Sequence, residues 1–579
     1  MATAFLNISI DGAAIPVDFN LLSVGVQHEL NKISEAQLLF LADAARDPFA
    51  ISDSGIFKVG SLVEVRCGYS TAQADLIFSG IVTAQSMDMG RGNGVQFKII
   101  CKHKAVLMSL PHKSRVFSDV KDSEIWATLI SAAGLEAKVS PSSLLHESLV
   151  QHDCSDWDFI VQRAQRLGFD VICEADGGLR ITPADLNISE RLSLSYGETI
   201  LDFKAHYDAS GQLPGLSVSG WDSSNQEEFS EAAAEPVLSG FAGPNQENLN
   251  NIFSENGNAF SAAISEVQDA AQRADSELLR MRLCALRGEV QFYGEASLLP
   301  GDLIALRGLG SLYSGKAFVS GVYQEFGGGD WITTARFGLE QAKSAETELQ
   351  NRLSEATNLQ ASSVQTLRIA KVLEVSSDPD GAFRIQVQLP GLGLEMLWAR
   401  VSGFYASRGS GAFFMPEVDD EVLVGFLGED FASPVVLGSL YSAAHPAPVS
   451  QNKHNDIKLI STRSGLALSF NDAQKVISLS TPGGAKVEMN DEKAILKFAD
   501  QNGNQFILGR EGISITSTKG ISLSAAQGIT AISEQGKISL KALHIENAAQ
   551  VSFSADSGME TKLSAAAQLS IQGAIVKIN

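Results

Sequence analysis

No Trp or Tyr follows Tyr441, and Pro482 is the sole proline beyond Pro448. Whatever the last quarter of the chain builds, it is not a core filled by large aromatic side chains. Cysteine is scarce and unpatterned. Cys67, Cys101, Cys154, Cys173 and Cys284 form an odd set with no C-x-x-C pair, which excludes a disulfide framework and reads as reduced thiols made in the cytosol. No apolar run reaches the length of a membrane-crossing helix. The first 24 residues carry Asp11 and Asp18 within an apolar pattern, and no Lys or Arg precedes Lys32, so the positively charged start of a secretory signal is missing. Synthesis in the cytosol is expected, with any export achieved by other means.

Clustered positive charge is also lacking. Against 67 Asp and Glu stand 44 Lys and Arg, a formal net charge of −23. Nucleic-acid binding needs grouped cations that displace counterions, so nucleic acid is not an expected partner. The acidity instead keeps a large assembly soluble through self-repulsion. With 579 residues, 44% of them hydrophobic and 19% charged, the chain is globular and long enough for three or more domains.

What is present is mostly strand. Phe5–Ile10, Leu62–Arg66, Ile77–Val82 and Val95–Ile100 alternate apolar and polar residues between turn signals, a barrel or sandwich pattern. Two short helices are predicted, one from Lys121 to Ala133 stopped by Gly134, the other opened by Ser155-Asp156-Trp157-Asp158 and stopped by Gly168. In the second, Ser155 caps the helix and Asp158 takes the capping-box position. A polar, turn-rich stretch over 225–258 precedes a predicted helix from Ala259 to Met281, then strands over 285–340, a polar helix or tether over 341–365, and a strand at Ile369–Val375.

From about 455 the texture changes to short Ile, Leu and Val doublets separated by Ser, Ala and Gly: Ile513/Ile515, Ile521/Leu523, Ile538/Leu540, Val551/Phe553, Leu569/Ile571 and Val576/Ile578. A strand with two or three apolar positions buries too little surface alone to offset its ordering. Stacked copies, or interleaved copies from several chains, bury a continuous core. An intertwined needle is the expectation, with a single-chain solenoid or a mobile Ser/Ala-rich tail as the alternatives.

Catalytic and metal motifs are missing. No G-x-S-x-G, GK[ST] or G-x-G-x-x-G occurs, and His28-Glu29 and His146-Glu147 lack the second His of a zinc helix. Gly327-Gly328-Gly329 and Gly391-Leu392-Gly393 read as turns. Asp153, Asp156 and Asp158 read as a helix start, Asp158 capping and the other two in solvent. Lys102, Lys104, Lys113 and Arg115, bracketed by His103 and His112, read as a solvated face, with an acidic partner as the alternative. Pro416 to Glu421 reads as a turn entering a strand, with a cation site as the alternative.

Three segments together resemble the VgrG family, spike proteins of type VI secretion, and the hub-plus-needle proteins of contractile phage tails and extracellular injection particles. The first is Gln151-His152-Asp153-Cys154-Ser155-Asp156-Trp157-Asp158-Phe159. The second runs from Ala285-Leu286-Arg287-Gly288 through Pro300-Gly301-Asp302 and Gly315–Val322 to Phe337-Gly338-Leu339. The third comprises Arg384–Pro390, Trp398-Ala399-Arg400-Val401, Pro416–Phe426 and Pro434–Tyr441.

The resemblance implies a mainly β fold. A hub over 1–365 would hold two β-barrel-like halves with inserted helices, an OB-fold-like barrel would occupy 366–450, and an intertwined trimeric β-helix would occupy 451–579. The implied function is a non-enzymatic homotrimeric central spike and baseplate hub that punctures a target envelope and joins inner tube to tip. An extracellular, phage-tail-like particle is preferred over a type VI spike or a phage tail. A cell-wall or polysaccharide-degrading β-helical enzyme and an adhesin-like fibre are the rival classes. Implied partners are inner-tube, hub and baseplate proteins, effector cargo, a PAAR-like tip protein on Ile571, Val576, Ile578 and Asn579, and transiently the target membrane. No cofactor, metal or catalytic residue is implied.

Overall fold

Strand alternation organises the first lobe. In Asn20–Glu29, Val24, Val26 and His28 point inward, in Glu35–Ala42 Leu38 and Phe40 do, and in Gly94–Lys102 Phe97, Ile99 and Cys101 do. With Phe5–Ile10, Leu62–Gly68 and Asp75–Gly90 these strands enclose one core around Phe40, Phe57 and Phe78. This computed structural model describes residues 4–42, 49–70, 74–90, 94–243, 255–261, 264–340, 367–390, 396–429 and 431–578. They fall into two units, Met1–Pro446 and Ala447–Asn579.

The second lobe has its own core, around Val290, Phe292, Val319, Val322 and Phe337. Its strands include Ile200–Tyr207, Leu286–Tyr293, Gly315–Gly327 and Asp330–Phe337. The long Gly315–Gly327 strand pairs with Asp330–Phe337 on one side and with the first lobe on the other, from Gly321↔Glu29 to Gly327↔Ser23. That ladder makes both lobes parts of one 13-stranded sheet.

Between the lobes in sequence lies a helical module. Helices Asp122–Ala132 and Asp156–Arg166 pack with strands Phe169–Cys173 and Leu179–Pro183 around Trp126, Ile130, Ile160 and Val171. Ser155 caps the second helix, its Oγ accepting from the Asp158 backbone N–H at 3.1 Å, and Gly168 ends it at φ +79°. Gly134 at φ +74° follows the first. The helix predicted from Ala259 instead spans Val267–Cys284, because Gly257–Phe260 is taken as a strand by parallel pairing with Leu216–Asp222, a partner remote in sequence. Within the stretch predicted as turn-rich, Glu227–Ala232 pairs with that same strand. The tether expected over 341–365 lies outside the described residues.

Arg368–Glu374, Arg384–Gln388, Leu397–Val401, Glu421–Phe426 and Pro434–Ser439 close into a five-stranded barrel. Small β-branched and aliphatic side chains fill it: Val372, Ile385, Val387, Ala399, Val422, Val424 and Val436. Val116 and Val150 of the helical module pack against this core.

The second unit begins as a seven-stranded antiparallel meander: Ile457–Ser461, Ala467–Asn471, Val476–Ser480, Lys486–Asn490, Ile495–Ala499, Gln505–Gly509 and Gly512–Thr516. Turns such as Asn471-Asp472-Ala473-Gln474-Lys475 set the hairpins, with the Asn471 carboxamide accepting from the Gln474 N–H. The described residues after Thr516 pair with no other strand of the chain, and their side chains are exposed apart from the half-buried Ser517.

Candidate functional site

Register gives the meander two unlike faces, since one residue of slip would exchange them. Two neighbouring rows run across all seven strands on one face. The first is Ile460, Leu468, Leu479, Val487, Phe498, Phe506 and Ile515, and the second is Lys458, Phe470, Ile477, Met489, Leu496, Leu508 and Ile513. Every position but Lys458 is apolar. The row between them, on the opposite face, reads Leu459, Ser469, Ser478, Glu488, Lys497, Ile507 and Ser514. There Ser469 and Ser478 are hydrogen-bonded at 2.9 Å and Glu488 stands directly across from Lys497.

The apolar face is solvent-exposed among the described residues of this unit. Leu479 is 52% exposed, Met489 51% and Ile513 67%. A continuous apolar sheet face of this extent marks an association surface. Beyond it the doublets continue exposed, Ile521, Leu523, Ile538, Leu540, Val551 and Phe553 among them. Ile571, Val576 and Ile578 are exposed too, and Asn579 lies outside the described residues.

A second feature is the junction between helical module and barrel. Arg384 lies at its centre, bonded to both carboxylate oxygens of Glu147 at 3.0 and 3.1 Å, to Asp378 at 2.8 Å and to Asp380 at 2.6 Å, and 5.7 Å from the Trp398 ring centroid. Arg384 holds the Asp378 carboxyl at about 2, against a burial effect that alone would raise it. His152 packs against Phe431 across the same junction, with ring centroids 4.4 Å apart and planes tilted by 47°. Arg384→Ala is expected to leave the barrel folded and to free it from the module at a cost on the order of 1 kcal/mol, since Glu147 is half exposed. Faster proteolysis near 367 in the variant checks this.

Several sequence expectations change in three dimensions. Asp156 is not in solvent. It is 6% exposed, takes Lys113 at 2.6 Å, Gln151 at 3.0 Å and an ion pair from Arg115, and these hold its carboxyl below the usual range despite burial. The supposed basic face therefore disperses: Lys113 and Arg115 fold onto Asp156, Lys102 lies 3.7 Å from Glu35, and His103 is buried. Asp153 is exposed at φ +44°. Asp158 is engaged by Ser155, whose hydroxyl donates to its carboxylate at 2.6 Å. Asp420 accepts from the Glu417 N–H and Asp419 takes Lys371 at 2.7 Å, a turn closed by local hydrogen bonding. Gly328 and Gly329 form a positive-φ turn, and Gly391 to Gly393 lie outside the described residues.

Sequence reasoning passed over one buried cluster. Asp122 receives a bidentate Arg163 at 2.8 and 3.0 Å and His146 at 2.6 Å. Burial alone would raise its pKa, but the Arg163 charge and these hydrogen bonds hold it at about 2. Its folded value lies below its ordinary 3.8, so its stabilisation is complete above pH 3.8 and is lost as pH falls toward 2. The expected loss is about 2 kcal/mol, read as an acid unfolding midpoint that moves upward in Asp122→Asn. These partners serve the helix pair. Among the described residues no group of three or more His, Cys, Asp or Glu has metal-binding geometry.

Residues 1–327 match the family described as the Alg8 N-terminal domain, more than half of the chain, and residues 368–441 match the type VI secretion system/phage-baseplate injector OB domain, coextensive with the closed barrel. The type VI secretion system spike protein VgrG4b of Pseudomonas aeruginosa is 32% identical over 139 residues, 23% of this chain and 14% of that protein. The chain thus spans about a seventh of this curated relative. Two solved structures share the fold at 10% identity: the lidded Francisella PdpA-VgrG complex, with TM-score 0.52 over 89% of this chain and 80% of that one, and a lidless PdpA-VgrG complex, with TM-score 0.51 over 89% and 98%. With an amino-terminal region that this family model spans, a barrel that matches the injector OB domain, and a partial likeness to a VgrG spike protein, the chain belongs to the Alg8 N-terminal domain family.

Proposed function

We propose that the protein is the central spike and hub of a contractile, phage-tail-like injection apparatus, that it acts as a homotrimer, and that its work is mechanical and not enzymatic. The observation that carries this reading is the apolar face of the meander. Thirteen side chains in register, each gaining about 1 kcal/mol on covering, supply on the order of 10 kcal/mol per copy for association. Three such faces turned inward give a prism with Ser, Glu and Lys outside. The unpaired doublets after Thr516 would then find their strand partners in the other two copies and wind into a needle. Such a needle transmits the force of contraction to a small tip without chemistry.

The domain plan that accompanies this reading is a hub over 1–365, a barrel over 366–450 and a needle over 451–579. The hub would dock on inner tube and baseplate. Ile571, Val576, Ile578 and Asn579 would seat a PAAR-like tip protein, and effector cargo would travel with the spike. The protein would be made in the cytoplasm and reach the outside only with its apparatus. The type VI setting of the relative and an extracellular particle are separated by fractionating the producing culture. Sedimentation of the chain with sheathed particles in cell-free medium is expected for the extracellular apparatus. Recovery only as free chain or in envelope-bound assemblies is expected for type VI. Hydrolysis of peptidoglycan or polysaccharide by the purified chain would overturn the mechanical reading.

A further inference from the structure

The seam between the first lobe and the helical module is built on two buried histidines. His28, on the Asn20–Glu29 strand, is 3% exposed, and His103, just after Gly94–Lys102, is 1% exposed. Ser34 links them. Its hydroxyl lies 2.8 Å from His28 Nδ1, and its carbonyl accepts the His103 backbone N–H at 2.9 Å. His28 Nε2 lies 2.9 Å from the Ile77 carbonyl, so that nitrogen carries the proton and Nδ1 accepts from Ser34. From the module side, the loop at Asp176 and Gly177 reaches His103. Asn31 completes the seam, its backbone N–H bonded to the Val171 carbonyl and its side chain to the Val171 N–H and to Asp170.

His103 is placed so that a second proton breaks something. Its Nδ1 accepts the Ala105 N–H at 3.1 Å and thereby caps the short helix Lys104–Met108, the link from lobe to module. The neutral ring therefore holds its proton on Nε2, which is buried on the side that the Gly177 backbone approaches. Protonation must occur at Nδ1, and it removes the cap. We infer that this seam is an acid-sensitive joint, in which protonation of His103 uncaps Lys104–Met108 and loosens the helical module from the first lobe.

The surroundings agree. Burial, then the adjacent His28, push His103 down to about 4, outweighing the Gly177 backbone and the Asp176 carboxylate, while Lys104 opposes charge as well. Burial also pushes His28 down against backbone acceptors at Ile77 and Cys173. Asp176 stays ionised through this window, because its hydrogen bonds to the Gly178 N–H and Lys138 hold it below the ordinary carboxylate value despite burial. At the module's other end His152, also held down by burial and by Arg368, packs its tilted ring against Phe431 of the barrel. Loosening would therefore reach the barrel junction. The sign is that of a depressed histidine: stability is intact above pH 6.5 and is lost as pH falls toward 4.

The test is amide hydrogen exchange of the full-length protein at pH 7.0 and pH 5.0, corrected for the intrinsic rate, reading peptides that cover 103–109 and 171–178. Opening is expected to rise about 30-fold at pH 5.0, from tenfold per pH unit between the two protonation limits. In His103→Asn, whose side-chain oxygen can keep the cap without titrating, most of that rise should vanish. Equal rises in both proteins, or none in the wild type, would overturn the inference. Should the variant fail to fold, exchange of the His103 ring C2 hydrogen in the wild type decides it. A midpoint well below 6.5 that tracks the opening supports the joint, and a midpoint at or above 6.5 overturns it.

Discussion

Leu479→Asp is expected to abolish assembly of the spike while leaving the hub folded. Leu479 lies mid-row on the apolar face, flanked by Leu468 and Val487, and in a trimer the substitution places three carboxylates at one level of a dry core. Each would have to be desolvated without a cation nearby, a cost of several kcal/mol per copy that exceeds what one leucine contributes. The wild type should elute as one assembled species with a protease-resistant carboxy-terminal segment. The variant should elute as smaller species cleaved beyond residue 446, with circular dichroism of the hub strands retained. Ile521→Asp, beyond the meander, is expected to do the same by the same physics. The polar-face change Ser514→Asp should assemble normally, because that row lies on the opposite face and Ser514 stands across from Ile507 and not from an acid. Assembly of Leu479→Asp at wild-type yield would mean that the face is not a core.

Gly338→Ala should cripple the hub. Gly338 has φ +72°, and a Cβ there would stand 2.0 Å from the Leu286 carbonyl oxygen and 2.9 Å from the Arg287 Cα, both backbone atoms of the neighbouring segment. That carbonyl cannot swing aside, because its strand is laddered to Asp330–Phe337 and Ile200–Tyr207. The positive φ alone costs about 1 kcal/mol in alanine, and the clash adds more, for a total of about 3 kcal/mol or beyond. Gly12 provides the control, with φ +82° and open space around its absent Cβ, so Gly12→Ala should show only the backbone cost. Thermal denaturation of the two variants beside the wild type separates the two contributions, and equal shifts would remove the packing argument.

The features legible in the sequence were those with local causes. Period-two alternation marked Phe5–Ile10 and Leu62–Gly68, the Ser155 hydroxyl marked a helix start, and Gly134 and Gly168 marked helix ends, each within a few residues of the atoms responsible. The barrel was legible only as what the family resemblance implied, carried by Arg384–Pro390, Trp398–Val401, Pro416–Phe426 and Pro434–Tyr441. What was not legible depends on remote partners. Asp156 looked solvated because Lys113 and Arg115, which bury it, stand on another strand some forty residues earlier. Ala259 and Phe260 looked helical, and Gly257 and Asn258 looked like turn, because their strand partner Leu216–Ser219 lies some forty residues earlier. The doublets announced a repeat, but the two-faced register over 457–516 appears only when seven strands are aligned. His28 and His103 were legible only as an incomplete zinc motif and as the edge of a basic patch, since their meaning is the seam between two separately folded regions.

Solution mass by multi-angle light scattering, on the full-length protein and on a chain ending at Ser450, tests the central claim most directly. A full-length trimer that gives way to smaller or less stable species on truncation is the expected result, because the uncovered face and the doublets beyond it reside in 451–579. A full-length monomer at concentrations well above those of assembly, or a dimer that closes the apolar faces pairwise, would contradict the trimeric spike.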